Sequence, residues 1–214
     1  MMTTTSAEPA SSATSSVRLF ADLARREPIR GELFGQERLE AHARELAQAA
    51  RVTRREAPGD PLLRRFLDNG AELTRAYQRI VEATRRRESI TSDAEWLLDN
   101  FHIIEDTLRE VRHDLPRGYY RQLPKLADGP FRGLPRVYAL SVQLLAHTDS
   151  SLDEAILLHF VKAFQTVTPL TIGELWAVPT MLRLGLVENL RRLAGRMLTP
   201  GASASRPSAG GPTS

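Results

Sequence analysis

The chain has 214 residues, of which 42% are hydrophobic, and this is enough to bury the core of one ordinary domain. It contains no cysteine, which excludes disulfides, thiolate nucleophiles and thiolate metal ligands. The formal net charge is only +3, with Lys125 and Lys162 as the only lysines among many arginines. A charge this small favours binding to nucleic acid or to anionic lipid only weakly.

The two ends of the chain differ in composition from its middle. Residues 1–30 open with Ser, Thr and Ala, lack the features of a secretory signal, and predict a largely disordered lead-in. Residues 199–214 are rich in Pro, Gly, Ser and Ala and predict a disordered tail. We therefore expect one helical domain over residues 31–198. Charged residues interrupt the most apolar stretch, 172–193, so no membrane span is predicted.

Between these ends, apolar residues recur every three or four positions, which predicts helices and no strands. The first predicted helix covers residues 37–56, the second runs from Pro61 to the arginines at 85–87, and the third covers 92–115. The inward stripe of the third consists of Leu97, Phe101, Ile104, Leu108, Val111 and Leu115. Pro116 ends this helix.

Three further helices are predicted at residues 136–147, 151–168 and 171–198, the last with a kink at Pro179. Capping boxes mark three helix starts. They pair Ser92 with Glu95, Ser151 with Glu154 and Thr171 with Glu174. The fold class is therefore all-α, with about six amphipathic helices in an irregular bundle. Trp96 and Trp176 are expected to pack in the core, because they stand among apolar residues of these helices.

No pattern in the sequence predicts a catalytic, cofactor-binding or metal site. His102 and His113 each lack a second histidine one helical turn away, as a helical metal site requires. The sequence HTDSS at 147–151 reads as a turn and helix cap, since a catalytic triad needs side chains from separate elements. A Gly-rich phosphate loop is missing from the sequence.

Residues 117–135 form a long connection, because their glycines and prolines are expected to prevent a helix. Long ordered connections in compact domains are often functional. Aromatic rings can pack on the faces of sugar rings, so this segment is the candidate surface for a glycan or protein partner. Its candidate contact residues are Arg117, Tyr119, Tyr120, Arg121 and Phe131.

Several motifs carry a resemblance to a known family. In chain order they are LFGQERLEAHA, AEWLLDNFHIIE, LPRGYYRQLPKL, GLPRVYAL followed by LLAHTDS, and TPLTIGELWAVPTMLRLGLVENLRRLA. Over residues 33–198 the chain resembles the N-terminal region of bacterial cyclic β-1,2-glucan synthases. After ENLRRLAGRML the family continues toward the membrane, whereas here the polar tail follows, so we interpret the chain as a truncated fragment.

The resemblance implies a large inner-membrane enzyme that makes cyclic β-1,2-glucan from UDP-glucose with a divalent metal. The transferase and phosphorylase domains of the family lie outside the matching region, so no catalytic residue or cofactor site is carried over to this chain. The implied partner is the remainder of a glucan synthase polypeptide or complex. The implied location is the cytoplasmic face of the bacterial inner membrane.

Three hypotheses on function follow. The first is a non-catalytic helical domain that acts as a scaffold or regulatory contact for the synthase and is inactive alone. The alternative is a free-standing helical module that binds a protein or a glycan through Tyr119 and Tyr120. Nucleic-acid binding ranks last, because arginines and glutamates are interspersed in every predicted helix.

Overall fold

The computed structural model describes residues 28–53 and 61–197, and most of the residues in this part of the chain are in helices. In chain order the helices are α1 Gln36–Ala49, α2 Pro61–Arg85, α3 Ser92–Asp99, α4 Phe101–Asp114, α5 Arg117–Gln122, α6 Arg136–His147, α7 Glu154–Gln165 and α8 Ile172–Met197. Two short strands, β1 Val52–Thr53 and β2 Lys125–Leu126, pair antiparallel. The predicted all-α class is confirmed. The disordered ends predicted from composition fall mostly on residues 1–27 and 198–214, which lie outside the described residues.

Helix α6 lies at the centre of the fold. All of its residues are buried, because its sequence RVYALSVQLLAH is apolar on nearly every side. It packs along α8, and α8 also packs against α2 and α4. Gly185 allows the close approach of α6 and α8, since a Cβ atom at this position would lie 2.5 Å from Cδ1 of Leu145. Helices α1 and α7 pack on each other beside this centre.

The predicted inward stripe of residues 92–115 is confirmed, although the single predicted helix is two helices. Asn100 separates α3 from α4, and all six stripe residues are buried. The cap of α3 is Thr91 and not Ser92, since the Thr91 hydroxyl accepts a hydrogen bond from the amide of Ala94. The predicted helix at 37–56 was too long, because the chain pairs as β1 soon after Ala49.

The capping box predicted at the start of α8 is confirmed. The Glu174 amide donates to the Thr171 hydroxyl at 3.1 Å, and the Thr171 amide donates to the Glu174 carboxylate at 2.9 Å. At α7 the prediction was wrong, because Asp153 and not Ser151 caps the amide of Ile156. A tight turn with positive φ at residues 149 and 150 moves the helix start two residues along the chain.

A buried polar cluster joins α2, α6 and α8. The Tyr138 hydroxyl donates to Glu188 at 2.8 Å and accepts a hydrogen bond from Arg65, also at 2.8 Å. The other Glu188 oxygen accepts from Arg192 at 2.6 Å. Burial raises the pKa of Tyr138, so this hydroxyl keeps its proton and remains a donor to Glu188. In this cluster the single carboxylate of Glu188 pairs with two guanidinium groups, those of Arg65 and Arg192.

No helix in the described part of the chain is both long enough and apolar enough to cross a membrane.

Candidate functional site

The segment 117–135, predicted to be a connection without helix, contains the short helix α5. This part of the prediction was wrong. Pro116 is the residue before the helix, where its fixed φ and missing N–H are compatible with a helix start. Gly118 lies in the helix, where a glycine lowers helix stability. Because α5 ends at Gln122, this loss of stability affects only one short helix. From Leu123 onward the segment has no helix before α6 and consists of β2 followed by bends and turns, as its prolines and glycines predict.

Lys125 holds the end of α5 in place. Its ammonium group is buried and donates to the carbonyl oxygens of Tyr120 at 2.6 Å, Leu123 at 2.8 Å and Arg121 at 3.0 Å. These carbonyls lie at the helix C-terminus, where a cation is favoured. The sequence analysis missed this role. The available signal was that Lys125 is one of two lysines in an arginine-rich chain.

The five candidate contact residues do not share one surface. Consecutive residues in a helix differ by about 100° in direction, so α5 places Tyr120 in the core and Tyr119 at its edge. Tyr120 is 2% exposed and Phe131 is 4% exposed. Arg117 and Arg121 are exposed on α5. Tyr119 is half-buried, and its hydroxyl donates to the Gly173 carbonyl at 2.5 Å, which ties α5 to the start of α8.

Phe131 instead lines a pocket of about 380 Å³ between α1, α6 and the connection that follows β2. The walls are mostly apolar, and the polar groups include His42 and Gln143, whose side chains share a hydrogen bond of 3.1 Å. Burial lowers the pKa of His42, so the imidazole is neutral near pH 7. Of the residues that line this pocket, the sequence analysis named only Phe131 as a candidate contact residue.

An exposed apolar face lies at the start of α8. Ile172 is 76% exposed, Trp176 is 78% exposed and Leu175 is 37% exposed, and we call these three residues the Trp176 face. The face adjoins Tyr119 through the hydrogen bond to Gly173. Large apolar side chains exposed together mark contact surfaces more often than isolated ones do.

Both tryptophans were predicted to lie in the core, and both predictions were wrong. Trp176 precedes the buried residues Ala177 and Val178, so its side chain points away from α6. Trp96 is 51% exposed, because the inward face of α3 passes through Ala94 and Leu97 instead. Single apolar residues beside a stripe cannot be assigned to the core from spacing alone.

Within residues 28–53 and 61–197, no group of three or more His, Asp or Glu side chains converges as a metal site would require. His102 and His113 are exposed on α4. His147 is buried, and its Nδ1 atom lies 2.7 Å from the carbonyl oxygen of Glu32. This contact fixes the chain at residue 32 to the end of α6. The rest of the motif at 147–151 is a turn. The described part of the chain is a helical domain with exposed apolar surfaces and a pocket.

Comparison with known proteins agrees with the resemblance that the motifs predict. The chain is 44% identical over 134 residues to the cyclic beta-(1,2)-glucan synthase NdvB of Rhizobium meliloti (strain 1021). The matched region is 62% of this chain but only 5% of that protein. No family model matches the chain. The predicted relationship to the cyclic β-1,2-glucan synthases is therefore confirmed, for a segment that is a small part of such an enzyme.

Proposed function

We propose that this chain is a non-catalytic helical domain of the glucan synthase type, which acts as a scaffold or regulatory contact for a glycosyltransferase that makes cyclic β-1,2-glucan. Its partner is the remainder of a synthase polypeptide or complex, at the cytoplasmic face of the inner membrane. The similarity of this chain to NdvB supports the proposal that its partner belongs to a cyclic glucan synthase.

The observation that carries the proposal is the Trp176 face. Trp176 and Ile172 are each more than three-quarters exposed, although they stand on a helix whose other side is buried against α6. Tryptophans in protein interfaces often contribute a large share of the binding free energy. The hydrogen bond from Tyr119 to Gly173 holds α5 against the same end of α8, so the face is presented by two connected elements.

The proposal is tested with the tagged chain and the transferase-containing part of a cyclic glucan synthase. We expect Trp176→Ala to weaken their association about tenfold or more, because truncating an anchoring tryptophan typically removes 2 kcal/mol or more of binding free energy. Leu158→Ala is the matched control, since Leu158 is 46% exposed on α7. Equal affinity of the wild-type chain and Trp176→Ala would contradict the scaffold contact at this face.

A second measurement addresses activity. The purified chain is expected to show no turnover of UDP-glucose, and glucan synthesis by the chain alone would end the non-catalytic reading. The glycan-binding alternative is supported by the same exposed tryptophan, because an indole face can pack on a sugar ring. Titration with linear and cyclic β-1,2-glucans, followed by Trp fluorescence in wild type and Trp176→Ala, distinguishes this alternative from a protein contact.

A further inference from the structure

A second apolar surface lies on the other end of α8, away from the Trp176 face. It is a groove of about 370 Å³ between α3, α4 and the C-terminal half of α8. Its apolar walls include Trp96, Ile103, Leu186, Leu190 and Leu193, and we call it the Trp96 groove. Trp96 and Ile103 are 51% and 53% exposed. A partner that covers these side chains would remove a substantial apolar area from water.

The walls of the groove are fixed by contacts between the helices. Arg183 on α8 makes ion pairs with Glu110 at 3.3 Å and with Asp114 at 3.7 Å, and both acidic residues lie on α4. Ile104, at the floor of the groove, is buried against the core. The groove is therefore formed mainly by packed helices, with Ser150 of the turn after α6 at its edge.

The described chain begins at the rim of this groove. Pro28 and Ile29 are buried, and the Ile29 amide donates to the side-chain oxygen of Asn189 at 2.8 Å. The Asn189 amide group in turn donates to the Ser150 hydroxyl at 3.1 Å. Both Asn189 and Ser150 line the groove. The first described residues, Pro28 and Ile29, therefore lie next to the exposed apolar walls.

The sequence immediately before Pro28 has the pattern that fits such a groove. Residues 17–27 read VRLFADLARRE. At 100° per residue, Leu19, Phe20 and Leu23 fall within one arc of about 100°. Arg18 and Arg25 fall on the opposite side. An eleven-residue helix is about 16 Å long, and residues 183–193 of α8 rise through about 15 Å, so the two lengths match.

We propose that residues 17–27 dock in the Trp96 groove as an amphipathic segment, with Leu19, Phe20 and Leu23 against Trp96 and Leu186. This departs from the expectation that residues 1–30 are a disordered lead-in. Covalent attachment at Ile29 favours this occupant over a separate molecule, because attachment gives the segment a high effective concentration at the groove. The proposal concerns a different surface from the Trp176 face and does not depend on the proposed function.

The test uses Trp96 as a reporter in the full-length chain. Trp176→Phe leaves Trp96 as the single tryptophan, and acrylamide quenching then measures how accessible the groove is. We expect Leu19→Gln combined with Leu23→Gln to raise the quenching constant severalfold, because the apolar contact with the indole ring is lost. The matched control, Arg18→Gln with Arg25→Gln, introduces the same side chains on the opposite side and is expected to leave quenching unchanged.

Engineered cysteines give an independent test, since the chain has none of its own. Leu23→Cys with Leu186→Cys is expected to form an intramolecular disulfide, whereas Arg25→Cys with Leu186→Cys is not. Each other occupant of the groove would give an outcome that overturns the proposal. A second copy would give intermolecular disulfides and concentration-dependent quenching. A groove kept for another protein would leave Trp96 equally quenched in wild type and in the double leucine variant.

Discussion

Arg136 and Glu174 form a bidentate ion pair in the core, between the first residue of α6 and the first turn of α8. The Arg136 Nε atom donates to one Glu174 oxygen at 2.9 Å and Nη2 donates to the other at 2.7 Å. The side chains are 6% and 0% exposed. Glu174 also completes the capping box with Thr171, so one carboxylate both starts α8 and fixes α8 to α6.

Replacing Glu174 by alanine is expected to lower the free energy of unfolding by about 3–5 kcal/mol. The reason is that the Arg136 guanidinium would remain buried without its counter-charge. Urea unfolding at neutral pH, followed by circular dichroism at 222 nm, measures this loss. The control is Glu110→Ala, which removes an ion pair with the half-exposed Arg183 and is expected to cost at most about 1 kcal/mol. Equal losses for the two variants would contradict this account.

The neighbouring tyrosines of α5 are expected to differ sharply when each is replaced. Tyr120→Ala removes a ring that is 2% exposed and should cost about 3–5 kcal/mol, because it leaves a cavity in the core. Tyr119→Phe removes the hydrogen bond to the Gly173 carbonyl and should cost about 1 kcal/mol. Urea unfolding of both single variants measures these two losses of stability. If Tyr120→Ala were as stable as wild type, Tyr120 would not be a core residue.

The helical stripes could be predicted because helix periodicity depends on residues three and four positions apart. Leu97, Phe101 and Ile104 illustrate this, since they were assigned to the core from spacing and are all buried. The lengths of the helices were less predictable from the sequence. The helix predicted at 37–56 ends at Ala49, because β1 pairs with β2, which lies more than 70 positions further along the chain. Such a distant partner leaves no mark in the local pattern.

The candidate surface was harder to predict than the fold. Tyr119 and Tyr120 carry the same side chain, and only the orientation of α5 decides which one is buried. That orientation depends on Lys125, which binds three carbonyls at the end of α5. Trp176 was assigned to the core because its neighbours are apolar, but α6 covers only one side of α8. Exposure on a helix that is apolar on most sides depends on tertiary packing.

Two glycines of α8 provide a matched pair for testing the α6–α8 contact. Gly185→Ala is expected to cost about 1–3 kcal/mol, because the new methyl group would press on Leu145 in the packed core. Gly195→Ala is expected to raise stability by up to about 1 kcal/mol, because among the described residues no atom beyond its own helical turn lies within 4 Å of its Cβ position and alanine favours the helix. Thermal and urea unfolding measure both, and a stabilising Gly185→Ala would contradict the close approach.

The last prediction concerns acid sensitivity, which should arise at the buried histidines His42 and His147. Burial lowers the pKa of both imidazoles below the ordinary value, and the two rings lie with their centroids 4.9 Å apart. The rings are therefore neutral in the folded state, while in the unfolded chain they bind protons near pH 6.5. Because the unfolded state then binds more protons, the free energy of unfolding falls as pH decreases below about 6.5.

The measurement is urea unfolding at pH 7.5 and pH 5.5 for wild type and His147→Gln. The variant is expected to be less stable at pH 7.5, because it loses the stacking of His147 on Phe34, whose centroids lie 3.9 Å apart. It should also lose less stability than wild type between the two pH values, because one buried titrating group is gone. His102→Gln is the control, since His102 is exposed on α4, and it should keep the wild-type pH dependence. Carboxylates titrate in all three proteins, so only the difference between variants reports on the buried rings. An unchanged pH dependence in His147→Gln would show that acid sensitivity arises elsewhere.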